Sequence, residues 1–183
     1  MKYKIKDTTD ATGANVSLWH SDILAQNKDV CGLYMDAMSF LVKKRWAMSP
    51  FHLVTNSHKV IWVENEAGTP MGGVVYEYHP TNFQGYIVLI FVDDNFRGRH
   101  LYTLLQTALE DEVIRLGGTS IASMAHKDNV ARLRAGEREG MLPEYHRLYK
   151  DLTPTLEERK AQLQKSTGKP WDQLNKDRWN NNK

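Results

Sequence analysis

The sequence predicts an α/β protein built on a sheet of mixed strand direction, flanked by helices, and three observations carry that prediction. Two apolar runs, Val60 to Val63 and Met71 to Tyr78, flank the turn-rich Glu64-Asn-Glu-Ala-Gly-Thr-Pro70, with Gly68 and Pro70, and read as a β-hairpin. Tyr86 to Val92 is a continuous apolar run, rich in β-branched and aromatic residues and too short for a typical helix, so it reads as a central strand buried on both faces. Strand-like and helix-like periods then alternate, which argues for strands separated by crossover helices.

Between Val16 and Met48 apolar residues recur at spacings of three and four, as in Leu33, Met35, Met38, Leu41, Val42 and Trp46, and predict one or two amphipathic helices. Leu101, Leu104, Leu105, Ala108, Leu109, Val113 and Leu116 lie on one helical face that Gly117-Gly118 ends. Thr119 to Ala125 reads as a strand. Asn129 to Glu139 reads as a second helix, with Asp128 or Asn129 available as its N-cap. Glu144 to Leu152 is placed to close the sheet. From Thr153 onward the composition turns polar, so the expected organisation is a domain over residues 1–152 and a helical or flexible extension over 153–183.

Composition narrows the function. A chain of 183 residues with 41% apolar and 25% charged side chains folds as a globular protein. A net charge of +2 makes nucleic acid an improbable partner, while an anionic small molecule fits. The single cysteine, Cys31, forms no internal disulfide, and neither it nor the histidines show metal-ligand spacing, so no metal is expected. No apolar run approaches the length of a membrane span, and the polar start lacks the apolar stretch of a signal peptide, so the expected setting is the cytoplasm.

The junction between the Tyr86–Val92 run and the following helix holds the most informative motif, Phe96-Arg97-Gly98-Arg99-His100-Leu101-Tyr102. A helix start exposes unpaired N–H groups at the positive end of its dipole and attracts an anion, above all a phosphate. Gly98 permits close backbone approach, and Arg97 and Arg99 add charge and donors. The motif matches neither a Walker loop nor Gly-x-Gly-x-x-Gly. A solvated helix start is the bland alternative.

Here the chain resembles the GNAT N-acetyltransferase superfamily, as a divergent member. Val92-Asp-Asp-Asn followed by Phe-Arg-Gly-Arg-His-Leu-Tyr is similar to the family's Val-x-Pro segment and Arg/Gln-x-x-Gly-x-Gly/Ala loop, and Asn129-Val-Ala-Arg132 with Gly140-Met141 to its Asn-x-x-Ala helix ending in Gly-Phe. The resemblance covers residues 55–152 well and 1–54 by element order. It implies a GNAT-like, mostly antiparallel sheet, acetyl-CoA as cosubstrate, and direct acetyl transfer to a primary amine on a small molecule or protein. The cofactor contacts it implies are the backbone of Ile90, Phe91 and Val92 at the thioester, Arg97, Gly98, Arg99, His100, Leu101 and Tyr102 at the pyrophosphate, and Asn129.

Three positions depart from the family pattern. His100 and Tyr102 stand at the loop's two later glycine positions, where side chains crowd the pyrophosphate, and Gly136 stands where acetyl-transferring members place the tyrosine that protonates the thiolate. By helix propensity, glycine at either His100 or Tyr102 is expected to cost about 1 kcal/mol. The candidate catalytic groups are Glu77 on the hairpin, His126 at a strand end, and Tyr145, with Tyr149 beside it, for the hydroxyl. Each also has an ordinary reading as an exposed strand, loop or sheet residue. The alternative function is a non-catalytic module of the same fold, with the tail, which carries Trp171 and Trp179, binding a protein partner.

Overall fold

The computed structural model describes residues 1–46 and 57–141, together with Ala161, Gln164, Lys165 and Pro170. The chain divides into two compact units, Met1–Leu142 and Pro143–Lys183, and the elements below belong to the first. The expected closing strand at 144–152, the boundary after 152 and the tail tryptophans lie outside the described residues.

Six strands form one sheet in sequential order: β1 (Lys2–Thr9), β2 (Asn15–Ser21), β3 (Lys59–Asn65), β4 (Pro70–His79), β5 (Gln84–Val92) and β6 (Ser120–Ser123). All neighbours are antiparallel except β5 and β6, which are parallel. Among the described residues of this unit, α1 (Lys28–Lys43) lies between β2 and β3, α2 (Leu101–Arg115) between β5 and β6, and α3 (Val130–Arg138) after β6. The hairpin, the central strand, the strand at 119–125 and both later helices stand where the sequence reading puts them.

The N-terminal region corrects that reading. Val16 to Ser21 is a strand, not the start of a helix, and pairs with β1 and β3. Val16, Leu18 and His20 alternate into the core at period two, a signal overrun by the helical spacing that follows. β1 places Lys2, Lys4 and Lys6 in alternation with Tyr3 and Ile5, a charged pattern suited to a sheet edge. Helix α1 buries Val30, Tyr34 and Met38, whereas Met35, counted on the apolar face from sequence, is 46% exposed.

Each face of the sheet carries a helix. Leu101, Leu105, Ala108, Leu109 and Val113 of α2 pack with Ile61, Val63, Val74, Tyr76 and Ile87. On the other face the α1 residues pack with Val60, Trp62, Val75 and Phe91. Helix α2 ends in a left-handed turn at Gly117 (φ 84°), and the Gly118 N–H donates to the Val113 carbonyl at 2.8 Å.

Strand β5 is less enclosed than a central strand should be. β6 pairs with it only from Gln84↔Ser120 to Ile87↔Ser123. Against β4 the register runs Val75↔Leu89 and then Tyr76↔Ile87, so Val88 is the extra residue of a β-bulge. Val88, Leu89 and Ile90 are accordingly only half-buried.

A buried polar network sits under α2. His20 Nε2 lies 2.9 Å from the Tyr76 hydroxyl, which donates to Glu112 Oε1 at 3.4 Å, and Arg115 donates twice to the Glu112 carboxylate at 2.6 and 2.7 Å. Burial pushes the His20 imidazole below its ordinary value of 6.5, against the opposing pull of Glu112. Burial acts to raise the Glu112 carboxyl, but the Arg115 hydrogen bonds, with His20 and Lys59, outweigh it and hold the group below 4.5. Both groups therefore bind fewer protons folded than unfolded. Their stabilisation is present above their unfolded values and is lost as pH falls, first below about 6.5 and then below about 4.5. Thermal melts between pH 7.5 and 4 are expected to show a midpoint falling in those two windows, with the upper step reduced in His20→Gln.

Candidate active site

The end of β5 builds the loop before α2. The Asp93 N–H donates to the Met71 carbonyl at 2.9 Å, and the Asp93 carboxylate accepts from the Asn95 N–H at 2.9 Å, capping a single 3₁₀ turn at Asp94–Phe96. Gly98 and His100 both take left-handed φ values, 79° and 58°, and α2 starts at Leu101 with no side-chain cap. An uncapped helix start behind two left-handed residues is a concave backbone with N–H donors suited to an anion.

His100 occupies the helix N-cap, not the helix interior. The left-handed conformation costs a non-glycine residue about 1–2 kcal/mol, which reverses the expected penalty for glycine at this position. After allowing for the greater unfolded-chain entropy, His100→Gly is expected to stabilise the fold by about 0.5–1 kcal/mol in denaturant unfolding. A destabilised His100→Gly would show that the imidazole makes a contact worth more than the strain.

The two arginines of the loop have different surroundings. Arg97 is largely exposed and pairs with Asp94. Arg99 turns toward the β1–β2 turn: its Nη1 lies 3.6 Å from Oδ2 of the buried Asp10, its guanidinium is 5.4 Å from the Phe96 ring, and its carbonyl accepts from the Ala11 N–H at 3.1 Å. Asp10 also accepts from the Thr12 N–H, the Thr12 hydroxyl and the Ala14 N–H, and the hydroxyl bond foremost holds its carboxyl below the usual range. Arg99 thus latches the first hairpin to the loop.

The other expected contacts divide similarly. Leu101 is buried in the core, which leaves only its backbone for a ligand. The Tyr102 hydroxyl is buried without a hydrogen-bond partner, and burial pushes its ionisation upward. Ile90 and Val92 pack toward α2, while Phe91 packs edge-on against Tyr34 at 6.5 Å. Asn129 caps α3, its side chain accepting from the Arg132 N–H at 3.2 Å.

Glu77 lies in a cluster that the sequence did not reveal. Ser57 donates to its carboxylate at 2.8 Å, His58 Nε2 lies 3.4 Å from Oε1, and His79 Nε2 lies 3.8 Å from Oε2. Glu77 is directly opposite Tyr86, two residues before the bulge. His79 is legible two residues from Glu77 on the same strand face, but His58 needs the β3–β4 register. His126 stands apart from this cluster: its Nδ1 accepts from the Asp128 N–H at 3.2 Å, and its ring stacks on Trp46 at 6.4 Å. Tyr145 and Tyr149 lie outside the described residues.

Gly136 stands against the side chain one turn before it. A Cβ there would lie 2.8 Å from Nη1 of Arg132, whose guanidinium crosses the helix to Ser123. Sequence reading missed Arg132 because nothing in the local pattern shows where its side chain goes.

The family model described as Acetyltransferase (GNAT) family matches residues 24–141, well over half of the chain. The chain belongs to the GNAT acetyltransferase family. Solved structures agree at the level of fold. The tetramutant BH1408 protein from Bacillus halodurans superposes with a TM-score of 0.61 at 16% identity, over 74% of this chain and 99% of its own. A ribosomal-protein-alanine N-acetyltransferase from Brucella melitensis gives 0.57 at 13% identity, over 74% and 98%. An aminoglycoside acetyltransferase from an uncultured soil metagenomic sample, in complex with sisomicin, gives 0.54 at 16%, over 74% and 93%. No curated protein matches the sequence. In this GNAT chain no helix among the described residues is long and apolar enough to cross a membrane, and no group of three or more described His, Cys, Asp or Glu residues is arranged to hold a metal ion.

Proposed function

We propose that the chain is an acetyl-CoA-dependent N-acetyltransferase that passes the acetyl group directly to a primary amine. The observation that carries this reading is the fork in the sheet. Past Ile87 and Ser123 the strands β5 and β6 no longer pair, Val88 bulges at that point, and β5 leads into the uncapped start of α2. A linear thioester with a diphosphate at its far end fits a slot that ends in backbone donors.

In this reading the backbone N–H groups from Arg97 to Tyr102 hold the pyrophosphate, and Arg97, the exposed arginine of the loop, adds charge. Freed backbone N–H groups from the bulge to Val92 polarise the thioester carbonyl. Glu77, held by Ser57 and flanked by His58 and His79, takes the proton of the attacking amine, directly or through a water. Tyr145 is kept as a candidate hydroxyl donor. Relatives named for an aminoglycoside and for a ribosomal-protein alanine agree with an amine on a small molecule or a protein as acceptor.

Calorimetric titration with acetyl-CoA tests the reading. The parent is expected to bind, and Arg97→Ala to weaken binding about tenfold, the loss of one partly exposed charge-assisted contact. Arg99→Ala is the poorer probe, because it also unlatches Asp10. Absence of binding at millimolar acetyl-CoA would transfer the assignment to a non-catalytic, partner-binding module.

A further inference from the structure

Among the described residues Arg132 is a cation without a counter-charge. Its guanidinium donates to Ser123 Oγ at 2.7 Å, lies 3.6 Å from Met141 Sδ and stands 5.7 Å from the Tyr102 ring. These partners are a hydroxyl, a thioether and a ring face, all neutral. Among the described residues no carboxylate lies within 4.0 Å of it, although Asp and Glu pair with several other arginines in the chain. The side chain is only half-buried, so water reaches the guanidinium and an anion entering beside it can too.

The cation lies against a glycine one turn along its own helix. A glycine inside a helix costs about 1 kcal/mol relative to alanine. Gly136 is buried in α3, and a Cβ there would lie 2.8 Å from Nη1, so any side chain at this position makes the end of Arg132 shift. The position also specifies the anion. Ser123 is the last β6 residue paired with β5, opposite Ile87, and the next β5 residue is the bulged Val88. By strand alternation Ser123 shares the face of Ile121, which packs toward α2. The guanidinium therefore stands at the fork itself, where the reacting end of a thioester would lie.

We propose that Arg132, lying against Gly136, is the counter-cation for the thiolate that departs during acyl transfer. This rests on the acetyl-CoA reading and deepens it. The amine lone pair forms the new C–N bond, the C–S bond breaks with both electrons going to sulfur, and the amine proton goes to Glu77. The guanidinium, which stays protonated throughout, holds the thiolate by charge and N–H donation until the sulfur takes a proton from solvent on release.

The test uses free coenzyme A and needs no acceptor. Thiolate absorbance of the bound thiol is titrated against pH in the full chain, in Arg132→Gln and in Gly136→Ala, each first shown to fold by a cooperative melt. The parent is expected to lower the bound thiol pKa by about one unit or more relative to free coenzyme A, as an opposite charge at contact does. Arg132→Gln is expected to lose that shift, and Gly136→Ala and Arg132→Lys to keep part of it. Affinity for desulfo-coenzyme A is expected to change less than twofold. Equal thiol pKa values in parent and Arg132→Gln overturn the proposal while leaving the enzyme reading intact. A loss of affinity that is the same for coenzyme A and its desulfo analogue assigns Arg132 to a phosphate and also overturns it. Failure of the parent to bind coenzyme A removes both readings together.

Discussion

Glu77→Gln is expected to lower kcat by a factor of about 10² or more, with acetyl-CoA affinity changed less than twofold. Positioned proton transfer contributes roughly 10²–10⁴ to an enzymatic rate, and glutamine keeps the shape of the carboxylate and an acceptor for Ser57 but not its basicity. The group lies opposite Tyr86, on the strand adjacent to the bulge and away from the loop proposed to hold the pyrophosphate, which is why the two readouts should separate. His58 and His79 both approach its oxygens, so a proton taken by Glu77 has imidazole neighbours through which to leave the site. Steady-state kinetics with a reactive amine, alongside calorimetry, check the separation. Unchanged kcat would return Glu77 to the role of a strand residue bridging two histidines. A loss confined to His126→Gln would instead move the base to the stacked pair with Trp46.

The parts of the fold written in local sequence were legible before any coordinates. A seven-residue apolar run, a turn with Gly68 and Pro70, and an apolar helical face closed by two glycines are decided within a few residues. The Phe96–Tyr102 motif was legible as a candidate anion site for the same reason, since it is contiguous. What failed was where two local signals compete. Residues 16–21 carry a period of two but run into a helix at period 3.6, and the lysines of β1 hid an edge strand behind a polar composition.

The candidate site was legible as a list of residues, not as partnerships. Arg97 and Arg99 are equivalent in sequence, yet only tertiary structure shows that Arg99 faces Asp10. His100 reads as a helix residue until its φ of 58° is known. Gly136 reads as a lost tyrosine until Arg132 is seen across it. The missing information was a long-range contact for Arg99, a backbone angle for His100 and a side-chain direction for Arg132, none of which a linear pattern carries.

The placement of that site depends on α2, and Leu105→Ala is expected to show how strongly. Leu105 is fully buried between the helix and the sheet, one turn after Leu101 and one before Leu109, so it holds the middle of the contact that aims the helix start at the fork. Removing its outer carbons loses their transfer free energy and leaves a cavity that strands β3 and β4 are too well packed to fill. The expected cost is about 2–5 kcal/mol in denaturant unfolding, or a melting midpoint lower by about 5–15 °C. Met35→Ala on the outward side of α1 is the matched control, expected within about 0.5 kcal/mol of the parent. Because the loop from Arg97 to His100 is fixed at one end by α2, the Leu105 variant should also bind acetyl-CoA more weakly even when corrected for its folded fraction. A cost below about 1 kcal/mol would mean that α2 is held mainly by the His20–Tyr76–Glu112 network and not by its apolar face.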